Sequence, residues 1–523
     1  MKKRIPYLVV LGIFFSCAQV SSPTGGPRDE TPPRDSVCSP KNNSTSFNEK
    51  EIEIRFTEYI NLKELSTQLI ISPFSKILPE VTVKGKTLRI IIKDTLQENT
   101  TYVYHFGKSI VDITEGNAAE NFNYVFSTGN TIDTSKISGK VLNSFTFQPE
   151  EDFMVMLYTS HNDSAPLTLL PNYIAKTNKE GNFLFTNLKM DRYKIFAIKD
   201  NNRNYLFDLP DEIIAYNTNP IAPDTHITLL SFKEDSEKQF VKKSSELQSG
   251  KFGIFLNKPS EKIEVKSLDA NDLMKENYPS SDTIIYWLKN KPLTEKLRFV
   301  ITDSDSIIDT VAIRVSNFEK TSKEKTSLSY NLQNANLNLG ENIKVTFSRP
   351  IETLNDSLLK LYCDSTPIPF KLNFDGFRKL VLEANWEENK NYSLHFLPSF
   401  FADVYAYKND SLTIKFKTHE KKFYGSLQLK IKSNKNQSYI FQLLNEKEEV
   451  QKQEVFIQTS AFNYAQIIPG KYKLRVIEDA NQNGKWDTGK YIKNIQPEKV
   501  IVYTGTLNIR SNWEQEIEWL LEE

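Results

Sequence analysis

"KYKLRVIEDANQNGKWDTGKY" (Lys471 to Tyr491) and "RYKIFAIKDNNRNYLFDLPDE" (Arg192 to Glu212) are two spellings of one pattern. Each has a Tyr-Lys pair, an apolar run of strand length, and then Asp-x-Asn-x-Asn-x-x-x-Asp. Asp479 stands 279 positions after Asp200, and the same offset pairs Leu188 with Ile467, Phe185 with Tyr464 and Phe183 with Phe462. An offset held through separate apolar positions marks a duplicated segment. The alternation of those positions is that of strands with one buried face. Each copy is led by a further strand-like stretch, "KISGKVL" around Gly139 and "KFYGSLQL" around Gly425.

A second duplication interleaves with the first. "EIEIRFTEYI" (Glu51 to Ile60) matches "NIKVTFSRPI" (Asn342 to Ile351), and "NTTYVYHF" (Asn99 to Phe106) matches "NKNYSLHF" (Asn389 to Phe396). "YVFST", ending at Thr128, matches "IKFKT", ending at Thr418. The order is therefore an A module, a B module, an intervening stretch, A again and B again. Turns carrying Asn and Pro punctuate short strands throughout, which is the signature of sandwiches rather than of βαβ units. The sequence predicts an all-β protein built as an extended array of tandem β-sandwiches. The A modules span 35–130 and 324–419, and the B modules span 131–235 and 420–523. Between the halves, 236–323 holds "KFGIFLNKP", "DTIIYWL", "LRFVIT" and "DTVAIRV", the strands of one more β-sandwich.

Composition agrees with several domains, since 523 residues exceed one small core. Lys plus Arg and Asp plus Glu are 66 each, so the net charge is zero and the basic footprint of a nucleic-acid binder is missing. The first 17 residues read as a targeting segment: Met-Lys-Lys-Arg, an apolar run from Ile5 to Phe15, then Ser16-Cys17. That run is too short to span a bilayer and suits a signal peptide. "AQVSSPTGGPRDETPPR" (18–34) lacks hydrophobic periodicity and reads as a flexible tether. Cys38 and Cys363, in different modules, are expected to be unpaired thiols.

Ser16-Cys17 resembles the lipobox of bacterial lipoproteins, which implies that Cys17 is acylated. "IEIRFTEYI…LRIIIKDTLQENTTYVYHF…FNYVFSTG" resembles the SbsA-type (Big_5) bacterial Ig-like domain; the second copy has Lys417 and His419 where that pattern has Ser and Gly. "TNKEGNFLFTNLKMDRYKIFAIKDNNRN" resembles carboxypeptidase-regulatory-like, or transthyretin-like, β-sandwiches. Together these features look like Gram-negative outer-membrane lipoproteins. The resemblance implies a lipid anchor in the outer membrane, on its periplasmic or its surface side, and supplies no reaction.

The duplicated loop offers the one ligand chemistry in the sequence. Asp479, Asn481, Asn483, the carbonyl of Lys485 and Asp487 fall at positions 1, 3, 5, 7 and 9 of an EF-hand-like numbering. Asp200, Asn202, Asn204, the Leu206 carbonyl and Asp208 do so in the first copy. Alternate oxygens in a tight turn suit a hard cation, and Ca²⁺ in a structural role is the expected ligand. Gly484 occupies position 6, where the turn is sharpest, whereas the first copy has Tyr205 there. Lys490 replaces the usual position-12 Glu, while Asp211 and Glu212 stand close to that place in the first loop. The plainer alternative is that Asp and Asn only build self-bonded turns.

Catalytic signatures are missing. The five histidines (His105, His161, His226, His395, His419) show no paired spacing, and there is no Gly-x-Ser-x-Gly, Walker loop or dinucleotide fingerprint. The expected function is therefore non-catalytic: a lipid-anchored envelope protein presenting β-sandwiches for protein or glycan binding. The alternative is an accessory subunit of an outer-membrane β-barrel assembly or export machine, with an envelope enzyme third. The expected partners are the membrane, through the lipid, and an outer-membrane barrel or a surface protein.

Overall fold

In "EIEIRF" the alternation becomes a strand, Glu51–Phe56, whose Ile52, Ile54 and Phe56 point into a core while Glu53 and Arg55 face water. The computed structural model describes residues 29–521, apart from 120–121, 261, 271, 277–280, 305, 317 and 319–323. Cys17, the apolar leader and most of the tether lie outside the described residues. Among the described residues the protein is nearly all β, with short α-turns at Leu65–Gln68 and Ala165–Thr168. No helix there is long and apolar enough to cross a membrane. The chain divides into two compact units, one ending at Ser231 and the other beginning at Phe232.

The first unit holds the first A and B modules. In the A module a four-stranded sheet, ordered Asp35–Ser39, Glu51–Phe56, Thr87–Ile91, Glu80–Lys84, accompanies a three-stranded sheet of Ile70–Ser72, Thr101–His105 and Asn123–Ser127. Their inner faces share one core, from Phe47 to Phe126. In the B module seven strands run in the order Tyr173–Lys176, Met154–Tyr158, Lys194–Lys199, Ile213–Tyr216, Thr225–Lys233, Ser135–Asn143, Asn182–Leu188. A separate core forms around Val155, Ile195 and Leu229.

The second unit holds three further cores, one each for the middle module, the second A module and the second B module. The middle module packs Val241–Gln248, Lys251–Leu256, Thr283–Leu288 and Leu273–Glu276 with a second sheet of Ile263–Ser267, Lys296–Asp303 and Ser306–Arg314. In the second B module, Thr459–Ile467, Gly425–Lys432 and Glu514–Leu520 form one sheet. Val450–Ile457, Ser438–Asn445 and Gly470–Asp479 lead the other. Along Glu514–Leu520 the three glutamates face water and Ile517 and Trp519 face the core.

The duplications hold at atomic detail. Tyr102 stacks on Phe126 at 5.3 Å and 12°, and Tyr392 stacks on Phe416 at the same distance and angle. The Tyr102 hydroxyl accepts the Gln97 N–H at 2.7 Å, and Tyr392 accepts that of Glu387 at 2.8 Å. In the B modules the Tyr193 and Tyr472 hydroxyls donate to the carbonyls of Lys189 and Ile468, each at 2.7 Å. The repeated glycines have a steric cause as well. A Cβ at Gly139 would stand 2.0 Å from the Ile227 carbonyl, and one at Gly425 would stand 2.5 Å from that of Arg510. The Ile227 carbonyl belongs to the strand Thr225–Lys233 and cannot move aside without disturbing its sheet.

Candidate metal-binding loops

Each acidic loop leaves the end of a strand, Lys194–Lys199 in the first unit and Gly470–Asp479 in the second. Asp200 caps the first turn: its carboxylate accepts the N–H groups of Arg203 (2.6 Å) and Tyr205 (2.8 Å). Asp479 does the same for Asn483 (3.0 Å) and Gly484 (3.1 Å), and is itself buried. The second Asx turn follows in both copies, with Asn202 accepting Asn204 N–H and Asn481 accepting Asn483 N–H, each at 3.1 Å. The third closes with Asn204 to Leu206 at 2.8 Å and Asn483 to Lys485 at 2.7 Å.

Successive turns of this kind throw alternate side chains to one side, and the last carboxylate closes the ring. Asp208 accepts from the amides of Asn202 (3.1 Å) and Asn204 (2.7 Å). Asp487 accepts from Asn483 at 2.7 Å and from Asn481. The Asp/Asn positions singled out in the sequence thus converge within each loop, while Lys485 and Leu206 enter through their backbones. Both loops need a positive φ at position 6: Gly484 takes 73° and Tyr205 takes 62°. The strain at Tyr205 is held by packing, since its ring meets Phe74 edge-on at 5.1 Å.

One acid per loop escapes the repeat pattern. Glu212, buried, accepts the N–H groups of Asn201 (3.2 Å), Asp208 (3.0 Å) and Leu209 (3.1 Å). Its counterpart in the second loop is Glu498, which accepts from Ala480 (2.8 Å) and Asp487 (3.0 Å). Glu212 lies four residues beyond Asp208 and Glu498 eleven beyond Asp487, so an insertion shifts it out of the constant offset. Lys490, the residue at position 12, instead pairs with Glu237 at 3.4 Å. Burial pushes the Glu498 carboxyl above its ordinary value, backbone donors from Asp487 and Ala480 oppose this, and the charges of Asp487 and Asp479 add to it.

Chemically, each loop offers two carboxylates and two amide oxygens around one turn, plus a carboxylate clip. Among the described residues no group of three or more His, Cys, Asp or Glu side chains is placed to hold a metal ion. The side chains gathered in each loop carry carboxylate and amide groups, donors of the hard-oxygen kind. The inserted stretch of the second loop docks on the segment Lys233–Glu237. Thr488 donates to the Lys233 carbonyl at 2.6 Å, Glu234 accepts the Tyr491 N–H, and Lys493 pairs with Glu237 at 3.0 Å. Two of the histidines are held by neighbouring polar side chains: His395 lies between Ser393 and Thr413, and His105 is bonded to Asn123. Cys38 and Cys363 are free thiols.

No curated protein matches the chain. Among solved structures, BcpA, the major pilin subunit of Bacillus cereus, aligns with 74% of this chain and 99% of its own at 10% identity and a TM-score of 0.14. The N-terminal part of the bacterial S-layer protein SbsC aligns with 55% and 44% at 12% identity and a TM-score of 0.15. The Bacillus anthracis TIE protein aligns with 96% and 76% at 10% identity and a TM-score of 0.15. Overlays at that level carry no argument about this chain. Residues 29–128, the first A module, match the bacterial Ig-like domain family.

Proposed function

We propose that this chain is a non-catalytic structural or adhesive protein of the bacterial cell envelope, lipid-anchored through Cys17 in the outer membrane and presenting its β-sandwiches to protein or glycan partners. The observation that carries the reading is a bacterial Ig-like module as the first of five separately cored sandwiches among the described residues, with the A–B pair occurring twice in the same order. Such a chain spends its residues on display surface. The fold alone assigns no activity, so the reading rests on the sequence of modules and on the tether. Chemical crosslinking in native membranes, followed by identification of the joined peptides, tests it. The expected result is recurrent links from module loops and edges to envelope proteins or glycans. Recovery of the chain unlinked, or of a processed small substrate in its place, would sink the reading.

The two acidic loops act in this scheme as calcium clips. Asp479, Asn481, Asn483, the Lys485 carbonyl and Asp487 hold one ion, and Asp200, Asn202, Asn204, the Leu206 carbonyl and Asp208 hold the other. Support comes from the convergence of the Asp and Asn side chains of each loop around one turn. With few carboxylates per loop, affinity belongs to the extracellular class, about 10⁻⁴–10⁻³ M. Titration calorimetry with millimolar Ca²⁺ should register heat, and its absence together with an unmoved melting temperature ends the idea.

A further inference from the structure

The two B modules carry the same sheet edge in different states. In the first, the edge strand Tyr173–Lys176 pairs on one side with Met154–Tyr158. Its other side is met by the neighbouring A module. The Ser72 hydroxyl reaches both the N–H (3.5 Å) and the carbonyl (3.3 Å) of Ile174, and Phe74 N–H donates to the Asn172 carbonyl at 2.7 Å. The outward backbone groups of Ile174, at the middle of that short strand, are thereby occupied.

The counterpart in the second B module is Val450–Ile457, which pairs on one side with Ser438–Asn445 and ends its sheet. It is eight residues long where its twin has four, and every side chain but Phe456 is exposed. Val450, Val455 and Ile457 are 46%, 55% and 62% exposed, so apolar side chains line an edge whose outward backbone is unpaired. It contains neither Pro nor Gly, and among the described residues its backbone makes no hydrogen bond beyond the ladder to Ser438–Asn445.

The strand is also complementary to itself. Run antiparallel to a second copy about Gln453, it sets Lys452 opposite Glu454 twice, Val450 opposite Phe456 twice and Val455 opposite Gln451 twice. A two-fold axis perpendicular to the sheet keeps each facing pair on one side, and no like charges face each other directly. Neither Lys452 nor Glu454 spends its charge on an ion pair within the chain among the described residues. The ladder to Ser438–Asn445 slips by one residue between Val450 and Lys452, leaving the charged centre in its regular part.

From the open twin edge and this charge complementarity we infer that two copies of the chain join through Val450–Ile457, antiparallel about Gln453, making one continuous sheet across the dimer. The contact is small, so it is a weak, concentration-dependent dimer. It stands apart from how the chain is anchored and from whether the acidic loops hold calcium.

Sedimentation velocity of the purified full chain tests this over a range around 10 µM, about where a contact of this size would half-assemble. The wild-type chain is expected to shift from monomer to dimer. Glu454→Lys and Lys452→Glu each place like charges at both symmetric positions, and each should weaken the dimer about tenfold or more. Mixing the two variants restores opposite charges at both positions, so the mixture should dimerise like wild type. The doubly swapped chain, K452E with E454K, should do the same. These rescues separate a lost contact from a misfolded variant. A chain that stays monomeric throughout overturns the inference, as does a dimer indifferent to E454K or a mixture that does not recover.

Discussion

Removing one carboxylate should loosen the joint between the middle module and the second A module. Glu276 is buried there, and one of its oxygens accepts the Trp287 indole N–H at 2.9 Å. The other accepts from Arg378 Nε at 2.8 Å, and Arg378 donates a further bond to the Phe347 carbonyl at 3.1 Å. Two cations flank the fully buried Trp287, with Arg378 at 5.5 Å and Lys251 at 5.1 Å from its ring centre. Burial pushes the Lys251 amine below its ordinary value, the Arg378 charge pushes it further, and Glu276 is the group that opposes both. In Glu276→Ala the guanidinium and the ammonium face each other without their anion, and the indole N–H loses its acceptor. Breaking a buried pair from one side costs about 3–5 kcal/mol. At the low end, about 3 kcal/mol corresponds to local opening roughly 100-fold more frequent.

Hydrogen exchange on the strand Thr283–Leu288 reads that opening directly. This is preferable to a global melt, because a chain of several cores does not unfold as one two-state unit. Glu276→Ala should cost those amides about two orders of magnitude in protection. Replacing both partners, Glu276→Leu with Arg378→Leu, should recover part of it, since the guanidinium is removed with its anion while the Trp287 N–H and Lys251 still lack theirs. Protection in Glu276→Ala within about threefold of wild type would refute the reasoning. A double variant as loose as the single one would show that packing, rather than charge, holds the joint.

Other expectations can be checked alongside. Millimolar Ca²⁺ should raise the melting temperature, and Asp487→Ala with Asp208→Ala should abolish that rise by removing the carboxylate that closes each ring. Cys17→Ala should move the chain from the membrane fraction to the soluble fraction, because a single residue carries the proposed anchor. Burial holds His419 below the ordinary histidine pKa, with its ring stacked at 3.6 Å on Phe423. A lowered histidine pKa contributes stability that is present above the unfolded value and lost as pH falls through the folded one. The second A module should therefore weaken on acidification below about pH 6.5, and His419→Phe should flatten that dependence in a pH series of melting curves. Replacing Gly425 by Ala should disrupt the second B module, measured as lost protection in Gly425–Lys432, because the new Cβ collides with the Arg510 carbonyl.

Much of the architecture was legible because it was written twice. Period-two runs such as "EIEIRF" give strands whatever surrounds them, and the constant offset of Phe183, Phe185 and Leu188 from their partners exposes the repeat without any contact being known. The Asp/Asn positions of the loops were readable for the same reason: Asx turns are local, so their geometry follows from spacing. Glu212 and Glu498 were harder. Both clip their loops across a stretch whose length differs between the copies, so the constant offset fails there.

The sequence by itself determined which segments are strands, which positions face cores, and that two pairs of modules repeat, because side-chain alternation and turn chemistry act over a few residues. Only the tertiary structure decided which edges are covered. Ser72 and Phe74 reach Ile174 and Asn172 across a gap of about a hundred residues, while Val450–Ile457, alike in its place in the sheet, is left open. It also decided that Glu276 meets Arg378. Such pairings depend on how whole sheets dock, and docking is set by packed surfaces that no local periodicity encodes.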